Sequence, residues 1–324
     1  MNNDDVLISV VIPVKNGGAS IADCLNALLN QTLSSRIEII VIDSGSTDNT
    51  PALLQSFPVR IINILPETFN HGLTRNIGVD TARGKFLYFT VQDAKLASDD
   101  ALEKMVMHFE DERIASVCGN QGVPHDKDKN PAIWYKPVSA PTIDLRHFAN
   151  AADFEKLSAL EKIDICGWDN VNSMYRKTAL EQLPFARTNF AEDIIWTKNA
   201  FLQGFYLVKD ASVLTWHYHH RTFQYQFRVS LTVYYYFYRE FSFKPAYPSA
   251  VKRMIQIIKR LIKESSISFF DKCYWFGHNL LILAADYKAT FIARKSIRKG
   301  GIEQFKLSFQ KYCAAVPQGK LKGY

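Results

Sequence analysis

The chain has 324 residues, 47% of them hydrophobic, and a formal net charge of +7. This length and apolar content exclude an intrinsically disordered chain and predict a protein with a sizeable core. Its five cysteines are scattered and form no Cys-x-x-Cys pair. We therefore expect free thiols in a reducing compartment, and neither a disulfide framework nor a zinc knuckle.

The first 120 residues alternate short apolar runs with segments of helical spacing. Strands alternating with helices at this pace predict an α/β fold with a mostly parallel, Rossmann-like central sheet flanked by helices. Ligands of open parallel sheets bind beyond the carboxyl ends of the strands, so we expect the chemistry in the loops after Pro13, Asp43 and Val91. The predicted strands are Leu7–Pro13, Arg36–Asp43, Val59–Leu65, Lys85–Val91 and Ala115–Gly119.

The second half of the chain is less regular. Residues 122–163 are rich in Pro and Asp and are predicted to form a long loop with short helices. A helix is predicted over Glu192–Gln203 and extended chain over Phe205–His217, and the aromatic, basic sequence after His220 is predicted to be helical. We therefore expect an α/β domain over residues 1–220 and a helical, basic C-terminal region over residues 221–324.

Two acidic residues directly follow or end apolar strands. Asp43 ends the second predicted strand, where a carboxylate suits hydrogen bonding to a nucleobase or a ribose hydroxyl. The small polar residues 46–50 that follow it are as well explained by a turn and a helix N-cap. Asp93 follows the fourth strand, where an acid suits Mg²⁺ or Mn²⁺ bridging to phosphate oxygens. An ordinary strand-end turn explains Asp93 equally well.

Charged residues at two predicted helix starts are further candidates. Arg75 suits a diphosphate, whose oxygens match the guanidinium fork, while a salt bridge within the protein is the competing interpretation. Glu192 and Asp193 open a helix at a place where the helix dipole favours acids in any protein. One of them could equally deprotonate a hydroxyl as a general base.

A group of histidines follows the last predicted strand. If residues 213–219 are extended, His217 and His219 point to the same face, because strand side chains repeat every two residues. Two imidazoles on one face suit a metal ion or a phosphate, whereas solvated surface histidines are the alternative.

Two other classes of protein fit these features less well. A dinucleotide-dependent dehydrogenase would carry Gly-x-Gly-x-x-Gly after its first strand, whereas this chain has only Gly17-Gly18. A nucleic-acid-binding protein would account for the positive charge but not for the acids at the strand ends, so no nucleic-acid partner is expected.

In their order, these segments resemble the family 2 glycosyltransferases of the GT-A fold, and within them the bacterial rhamnosyltransferase-like group. The resemblance runs from about Ile8 to Phe241. It is carried by VVIPVKNGG, IIVIDSGSTDNT, FNHGLTRNIGVDTARGKFLYFTVQDA, DNVNSMYRKTALEQLPF, FAEDIIWTKNAFLQGF and HYHHRTF. It implies an inverting enzyme that moves a sugar, foremost L-rhamnose from dTDP-rhamnose, to a saccharide or lipid-linked saccharide in the synthesis of a bacterial surface polysaccharide such as O-antigen.

The resemblance also implies roles for particular residues. Asp193 would be the catalytic base, and Glu192 would orient it or contact the acceptor. Mg²⁺ or Mn²⁺ would be held by Asp93, His217 and His219, and the acceptor side would include Asn172 and Trp196. The implied contacts with the nucleotide-sugar come from Pro13, Lys15, Asn16, Asp43, Ser44, Arg75 and Gln92.

Two positions depart from the family pattern. Val91 stands where the usual Asp-x-Asp metal motif has its first acid, so Asp93 is left as the only acid of that motif. Ser44 replaces a common second Asp in the nucleotide turn. A UDP-hexose or UDP-HexNAc donor, or a non-catalytic homologue that only binds a nucleotide-sugar, therefore stays an alternative.

The C-terminal third suggests where the acceptor lies. Residues 249–264 combine apolar residues at helical spacing with basic ones, which suits a membrane interface as well as a packed helix with a solvated basic face. The N-terminus lacks the basic start of a signal peptide, and no membrane-spanning run is predicted. The resemblance favours a polyprenyl-linked acceptor and a cytoplasmic protein held peripherally at the inner membrane.

Overall fold

The computed structural model describes residues 6–137 and 140–313. The chain divides into two units: the first spans Met1–Gly122 and Pro137–His217, and the second Val123–Lys136 and Tyr218–Tyr324. Residues 123–136, which the sequence pattern placed with the first 220 residues, group with the C-terminal helices.

The first unit is built on a nine-stranded sheet. Its strands are β1 (Ile8–Val14), β2 (Ile37–Asp43), β3 (Arg60–Asn63), β4 (Phe86–Phe89), β5 (Ala94–Leu96), β6 (Ile114–Gly122), β7 (Ile143–Arg146), β8 (Ser173–Arg176) and β9 (Tyr206–His217). Their order in the sheet is β3-β2-β1-β4-β8-β6-β9-β5, and β7 pairs with β9 as well. The core is centred on β1 and β2, where every residue but Pro13 is buried.

The sheet is parallel in its first half and mixed in its second. β3, β2, β1 and β4 pair in parallel, as predicted. β8 then lies antiparallel between β4 and β6, whereas β6 and β9 are parallel. The expectation of a mostly parallel sheet thus holds up to β4. Beyond β4, parallel and antiparallel pairs are mixed. Antiparallel neighbours do not need the long, usually helical, crossover connection that parallel neighbours need.

Eight helices in the described part of the first unit flank this sheet or lie in its loops. They are α1 (Ser20–Leu29), α2 (Thr50–Leu54), α3 (His71–Thr81), α4 (Ala101–His108), α5 (Ala151–Glu155), α6 (Ala159–Ile165), α7 (Lys177–Gln182) and α8 (Glu192–Leu202). The short helices α5 and α6 confirm the expectation for residues 122–163. The same stretch also contains β7, whose residues are largely exposed and gave no strand pattern.

Two glycines let α3 approach its neighbours closely. A Cβ on Gly78 would collide with the side chain of Val11 in β1, and one on Gly72 would collide with the backbone of Ala186. Asn76 adds a reciprocal pair of hydrogen bonds with the backbone of Phe185, at 2.9 and 3.1 Å. Helix α3 is thereby held against the loop that leads into α8.

The second unit is helical, as predicted, with α9 (Phe223–Phe241), α10 (Ala250–Lys263) and α11 (Phe269–Tyr312). Helix α11 is interrupted at Gly300 and Gly301, where Gly301 has a φ of +58°. Among the described residues, none of the helices combines the length and apolar character needed to cross a bilayer.

A buried carboxylate ties the three helices of the second unit together. Oδ1 of Asp286 accepts hydrogen bonds from Gln226 and Ser230 of α9, each at 2.7 Å. Its Oδ2 lies 2.7 Å from the guanidinium of Arg253 in α10. Because a buried charge is tolerated only when it is paired, this network specifies how α9, α10 and α11 pack.

Candidate active site

The loops after β1, β2 and β4 meet at the carboxyl edge of the sheet, as predicted. The backbone N–H of Lys15 donates to Gln92 at 2.9 Å, and the Gln92 amide donates back to the Lys15 carbonyl at 3.2 Å. The N–H of Asn16 donates to Ser46 Oγ at 2.8 Å. Three loops that are far apart in sequence therefore form one connected rim.

Asp43 holds the loop after β2 in this rim through hydrogen bonds to Ser46. Its Oδ1 accepts hydrogen bonds from the N–H of Ser46 at 2.9 Å and from Ser46 Oγ at 2.8 Å. Asp43 itself is buried, and its predicted contact with a nucleobase or a ribose hydroxyl stays a prediction. Pro13 lies in β1 opposite Ile42, and its contact with a nucleotide stays a prediction.

Backbone strain also collects at the two sides of this site. Asn16 and Ala191 have φ values of +51° and +61°, and of the other described non-glycine residues only Ser242 has a positive φ. This region disfavours residues with a Cβ, and such strain clusters at functional sites. Ala191 directly precedes Glu192 and so fixes the direction in which the acids of α8 leave the backbone.

A buried ion pair joins α3 to α8. Arg75 lies 2.9 Å from Glu192, and each side chain is only 5% exposed. His71 Nδ1 lies 3.9 Å from the same carboxylate. Burial opposes ionisation of Glu192, but Arg75, with His71 and Asn170, holds the pKa of Glu192 below its usual range. Glu192 is therefore a fixed negative charge and a weak proton acceptor.

One nitrogen of the Arg75 guanidinium makes no hydrogen bond to the described residues. This nitrogen is Nε, and it is buried. The predicted contact of Arg75 with a diphosphate stays a prediction.

Asp193, the next residue, has the opposite character. Its Oδ1 accepts the N–H of Ile194 at 2.8 Å, and its Oδ2 accepts the N–H of Asn170 at 3.2 Å. Burial raises the pKa of Asp193 well above its usual range, and the nearby charges of Glu192 and Asp169 raise it further. A carboxylate with a raised pKa is a better proton acceptor, which is the property a general base needs.

Asp169 is an acid that the sequence reasoning did not single out. It precedes Asn170, and its own pKa is raised by burial and by the charge of Glu192, while the Val171 N–H and the charges of His217 and Arg75 act in the opposite direction. Its position in the segment DNVNSMYR, four residues before the start of β8, was the available signal. Three carboxylates therefore share this end of the sheet with one arginine.

The predicted metal ligands Asp93 and His217 lie together. Oδ1 of Asp93 is 3.5 Å from Nε2 of His217. Ligands at right angles around Mg²⁺ or Mn²⁺, each about 2.1 Å from the ion, lie about 3 Å apart. These two atoms are thus too distant for a good hydrogen bond and close to the spacing of two ligands of one cation.

Gln121 fixes which nitrogen of His217 faces Asp93. The Gln121 side-chain amide donates to the Asp169 carboxylate, so its carbonyl oxygen faces His217 Nδ1, at 2.7 Å. Since that oxygen can only accept, Nδ1 of His217 donates to it, and Nε2 is the nitrogen that faces Asp93. A histidine ring oriented in this way by a second residue is typical of metal-binding histidines.

The structure corrects the strand argument for His219. β9 ends at His217, so the alternation of side chains along a strand does not extend to His219. His219 belongs to the second unit, where its ring lies 6.1 Å from that of Tyr225. Its predicted role as a metal ligand stays a prediction.

The structure also corrects the predicted acceptor contacts of Asn172 and Trp196, whose exposed fractions are 0% and 1%. The Asn172 amide donates to the carbonyls of Asn120 and Val213, and Trp196 Nε1 donates to the carbonyl of Leu183 at 2.7 Å. Both side chains therefore have hydrogen-bond partners inside the fold, where they stabilise the elements around the site.

Ser44 is engaged in a similar way. Its hydroxyl and its N–H both donate to the Val14 carbonyl at 3.0 Å, which extends the pairing of β1 with β2. Ser44 is buried, so its side chain shapes the nucleotide turn from within.

Comparison with known proteins agrees with this arrangement. The family model described as glycosyl transferase family 2 matches residues 9–183, more than half of the chain. The chain belongs to glycosyltransferase family 2. The matched region contains the rim formed by the loops after β1, β2 and β4, together with Arg75, Asp93 and Asp169.

Two curated relatives of this glycosyltransferase come from Salmonella. It is 34% identical over 220 residues to the O-antigen chain rhamnosyltransferase RfbN of Salmonella typhimurium strain LT2, covering 66% of this chain and 67% of that protein. It is 31% identical over 225 residues to the O-antigen chain rhamnosyltransferase WbaN of Salmonella anatum, covering 68% and 69%. The predicted membership of a rhamnosyltransferase-like group is confirmed.

Solved structures confirm the predicted GT-A fold of this glycosyltransferase. Residues 1–349 of TarS from S. aureus superpose with a TM-score of 0.51 at 15% identity, covering 91% of this chain and 92% of that one. The mannosyltransferase PcManGT of Pyrobaculum calidifontis, solved with GDP-Man and Mn²⁺, also has a TM-score of 0.51 at 15% identity, covering 94% and 79%.

Proposed function

We propose that this glycosyltransferase moves L-rhamnose from dTDP-rhamnose to a saccharide or lipid-linked saccharide, with inversion at the anomeric carbon, during synthesis of a bacterial surface polysaccharide. The donor and the pathway are supported by the two Salmonella relatives, both of which are named O-antigen chain rhamnosyltransferases. The chemistry is supported by the unequal pair of acids at the start of α8.

The observation that carries the proposal is the opposite pKa shift of two neighbouring acids: the pKa of Glu192 is lowered and that of Asp193 is raised. Arg75 keeps Glu192 ionised, and burial together with this neighbouring negative charge raises the pKa of Asp193. Asp193 takes the proton from an acceptor hydroxyl as that oxygen attacks the anomeric carbon. The bond from that carbon to the diphosphate breaks, and the nucleoside diphosphate leaves on the opposite face.

The donor lies against the rim. Lys15, Asn16, Asp43 and Gln92 place the nucleoside, and Arg75 lies near the diphosphate. Asp93 and His217, with His219 as the predicted third ligand, hold Mg²⁺ or Mn²⁺. When bound, such a cation acts as a Lewis acid for the charge of the departing diphosphate. The ring orientation of His217, with Nε2 3.5 Å from Asp93, supports this assignment despite Val91 at the first acidic position.

Two assays test the proposal. Turnover is measured with dTDP-rhamnose, UDP-glucose, UDP-GlcNAc and GDP-mannose, and product from dTDP-rhamnose alone or foremost is expected. Preference for a UDP-sugar would show that the donor is a UDP-sugar and not dTDP-rhamnose. Binding without turnover of any donor would show that the chain is a non-catalytic homologue. Transfer that persists unchanged in excess EDTA would contradict the metal assignment of Asp93 and His217.

The acceptor is proposed to be carried on a polyprenyl lipid. This acceptor follows from the resemblance to the rhamnosyltransferase-like group, and it places the enzyme at the cytoplasmic face of the inner membrane. Transfer to a polyprenyl-linked saccharide at a higher kcat/KM than to the same saccharide free in solution is the expected result. Equal values would remove the lipid from the recognised part of the acceptor.

A further inference from the structure

Helix α10 turns an apolar stripe outward. Val251, Ile255, Ile258 and Ile262 recur at spacings of four, three and four residues, which places them within about 60° of arc on one face. Their exposed fractions are 69%, 47%, 39% and 72%. A surface helix ordinarily buries such a stripe, yet in α10 the buried residue is Leu261, on a different side.

Two aromatic rings are exposed close by in the sequence. Phe269 and Phe270 begin α11, which five residues separate from the end of α10, and they are 73% and 82% exposed. Rings of this size are seldom left in water without a partner, and they are typical of segments that lie in a membrane interface. The α10 stripe and these two rings are together called the docking surface.

The charge beside the stripe is of one sign. Helix α10 carries five basic residues and no acidic one. Arg253 pairs with Asp286, and Arg260 donates to the carbonyl of Ala132, so both arginines are used within the second unit. The other three, Lys252, Lys259 and Lys263, are exposed and lie about 100° around the helix from the stripe.

We propose that the docking surface binds the anionic face of a lipid bilayer. The stripe and the rings enter the boundary between headgroups and acyl chains, and the three lysines meet the lipid phosphates. A second copy of the chain fits less well, because it would bring three exposed lysines against three. This inference does not depend on the donor sugar or on Asp193.

Vesicle flotation of the full chain tests the proposal. Binding is expected to vesicles of phosphatidylcholine with phosphatidylglycerol and to be at least tenfold weaker without the anionic lipid. Three variants divide the surface: Val251→Ser with Ile262→Ser, Phe269→Ser with Phe270→Ser, and the triple change of Lys252, Lys259 and Lys263 to Gln. Each is expected to weaken binding by about a hundredfold, since each such side chain contributes roughly fivefold to tenfold.

Matched controls lie in the first unit. Met107→Ser with Leu160→Ser removes two side chains that are 61% and 65% exposed, and changing Lys85, Lys95 and Lys156 to Gln removes three exposed charges. Both controls should bind vesicles like the wild type. All variants should keep the wild-type circular dichroism and the wild-type rate of donor hydrolysis without vesicles, which separates loss of docking from loss of catalysis.

Three outcomes would overturn the proposal. The first is wild-type binding that does not depend on anionic lipid. The second is equal weakening by the control sets and the docking-surface sets. The third is absence of vesicle binding together with a dimer, seen by analytical ultracentrifugation, that Val251→Ser with Ile262→Ser dissociates.

Discussion

Changing Glu192 to Gln should destabilise the protein far more than loss of a surface ion pair would. The carboxylate lies 2.9 Å from Arg75, and both side chains are 5% exposed. An exposed pair contributes only about 0.2–1 kcal/mol, whereas breaking a buried pair leaves an uncompensated charge and costs about 3–5 kcal/mol. At roughly 2–4 °C per kcal/mol, the melting temperature should fall by about 10 °C.

A double-mutant cycle isolates this pair. Arg75→Met should cost a similar amount by itself, because it leaves Glu192 buried without its counter-charge. The double variant, which leaves no unpaired charge, should lose clearly less than the sum of the two single changes. The melting temperatures of the four proteins are measured by calorimetry. Additive losses, or single losses below about 1 kcal/mol, would refute the buried ion pair.

Three further predictions follow from neighbouring groups. Asp193→Asn should raise the melting temperature, and the gain should grow as pH rises. A carboxyl whose pKa is raised in the folded state binds more protons there than in the unfolded state, so the wild-type protein loses stability as pH rises. A gain that shrinks with rising pH would contradict this. Asp169→Asn should move the acidic limb of the kcat/KM profile to lower pH, since it removes one of the charges that raise the pKa of Asp193. An acidic limb at the wild-type pH would show that Asp169 does not influence the pKa of Asp193. Gln121→Ala should weaken Mn²⁺ binding, measured by calorimetry, by about 10- to 100-fold through loss of the fixed His217 ring; unchanged affinity would remove Gln121 from the metal site.

The sequence predicted the elements with strong local patterns. β1 and β2 are short apolar runs buried on both faces, and their predicted ends agree with the structure to within about one residue. β5 was missed because three residues are too few to show a period, and β7 was missed because its four residues are largely exposed. The antiparallel direction of β8 could not be predicted either, since a strand's side-chain pattern is the same in both directions.

The candidate site was predictable where its residues lie at strand ends and helix starts. The meeting of the three loops followed from the rule for parallel sheets and is confirmed by the hydrogen bonds of Lys15 and Asn16. The network of Gln121 and Asp169 was missed, because these residues are 48 positions apart and only the folded sheet brings them together.

The burial of Trp196 had a usable signal in the sequence. Ile195, Trp196, Ala200 and Phe201 recur at helical spacing in α8 and are all buried. That spacing is typical of a core-facing stripe, so it favoured a packing role over acceptor contact. The resemblance to a family segment was given more weight than this local pattern.

The most direct measurement of the central claim is the single-turnover rate of Asp193→Asn with dTDP-rhamnose and a saccharide acceptor. The variant should bind the donor like the wild type and form product about 100- to 10,000-fold more slowly, because it has lost the base that accepts the hydroxyl proton. Product formation at the wild-type rate by the folded variant would contradict the account.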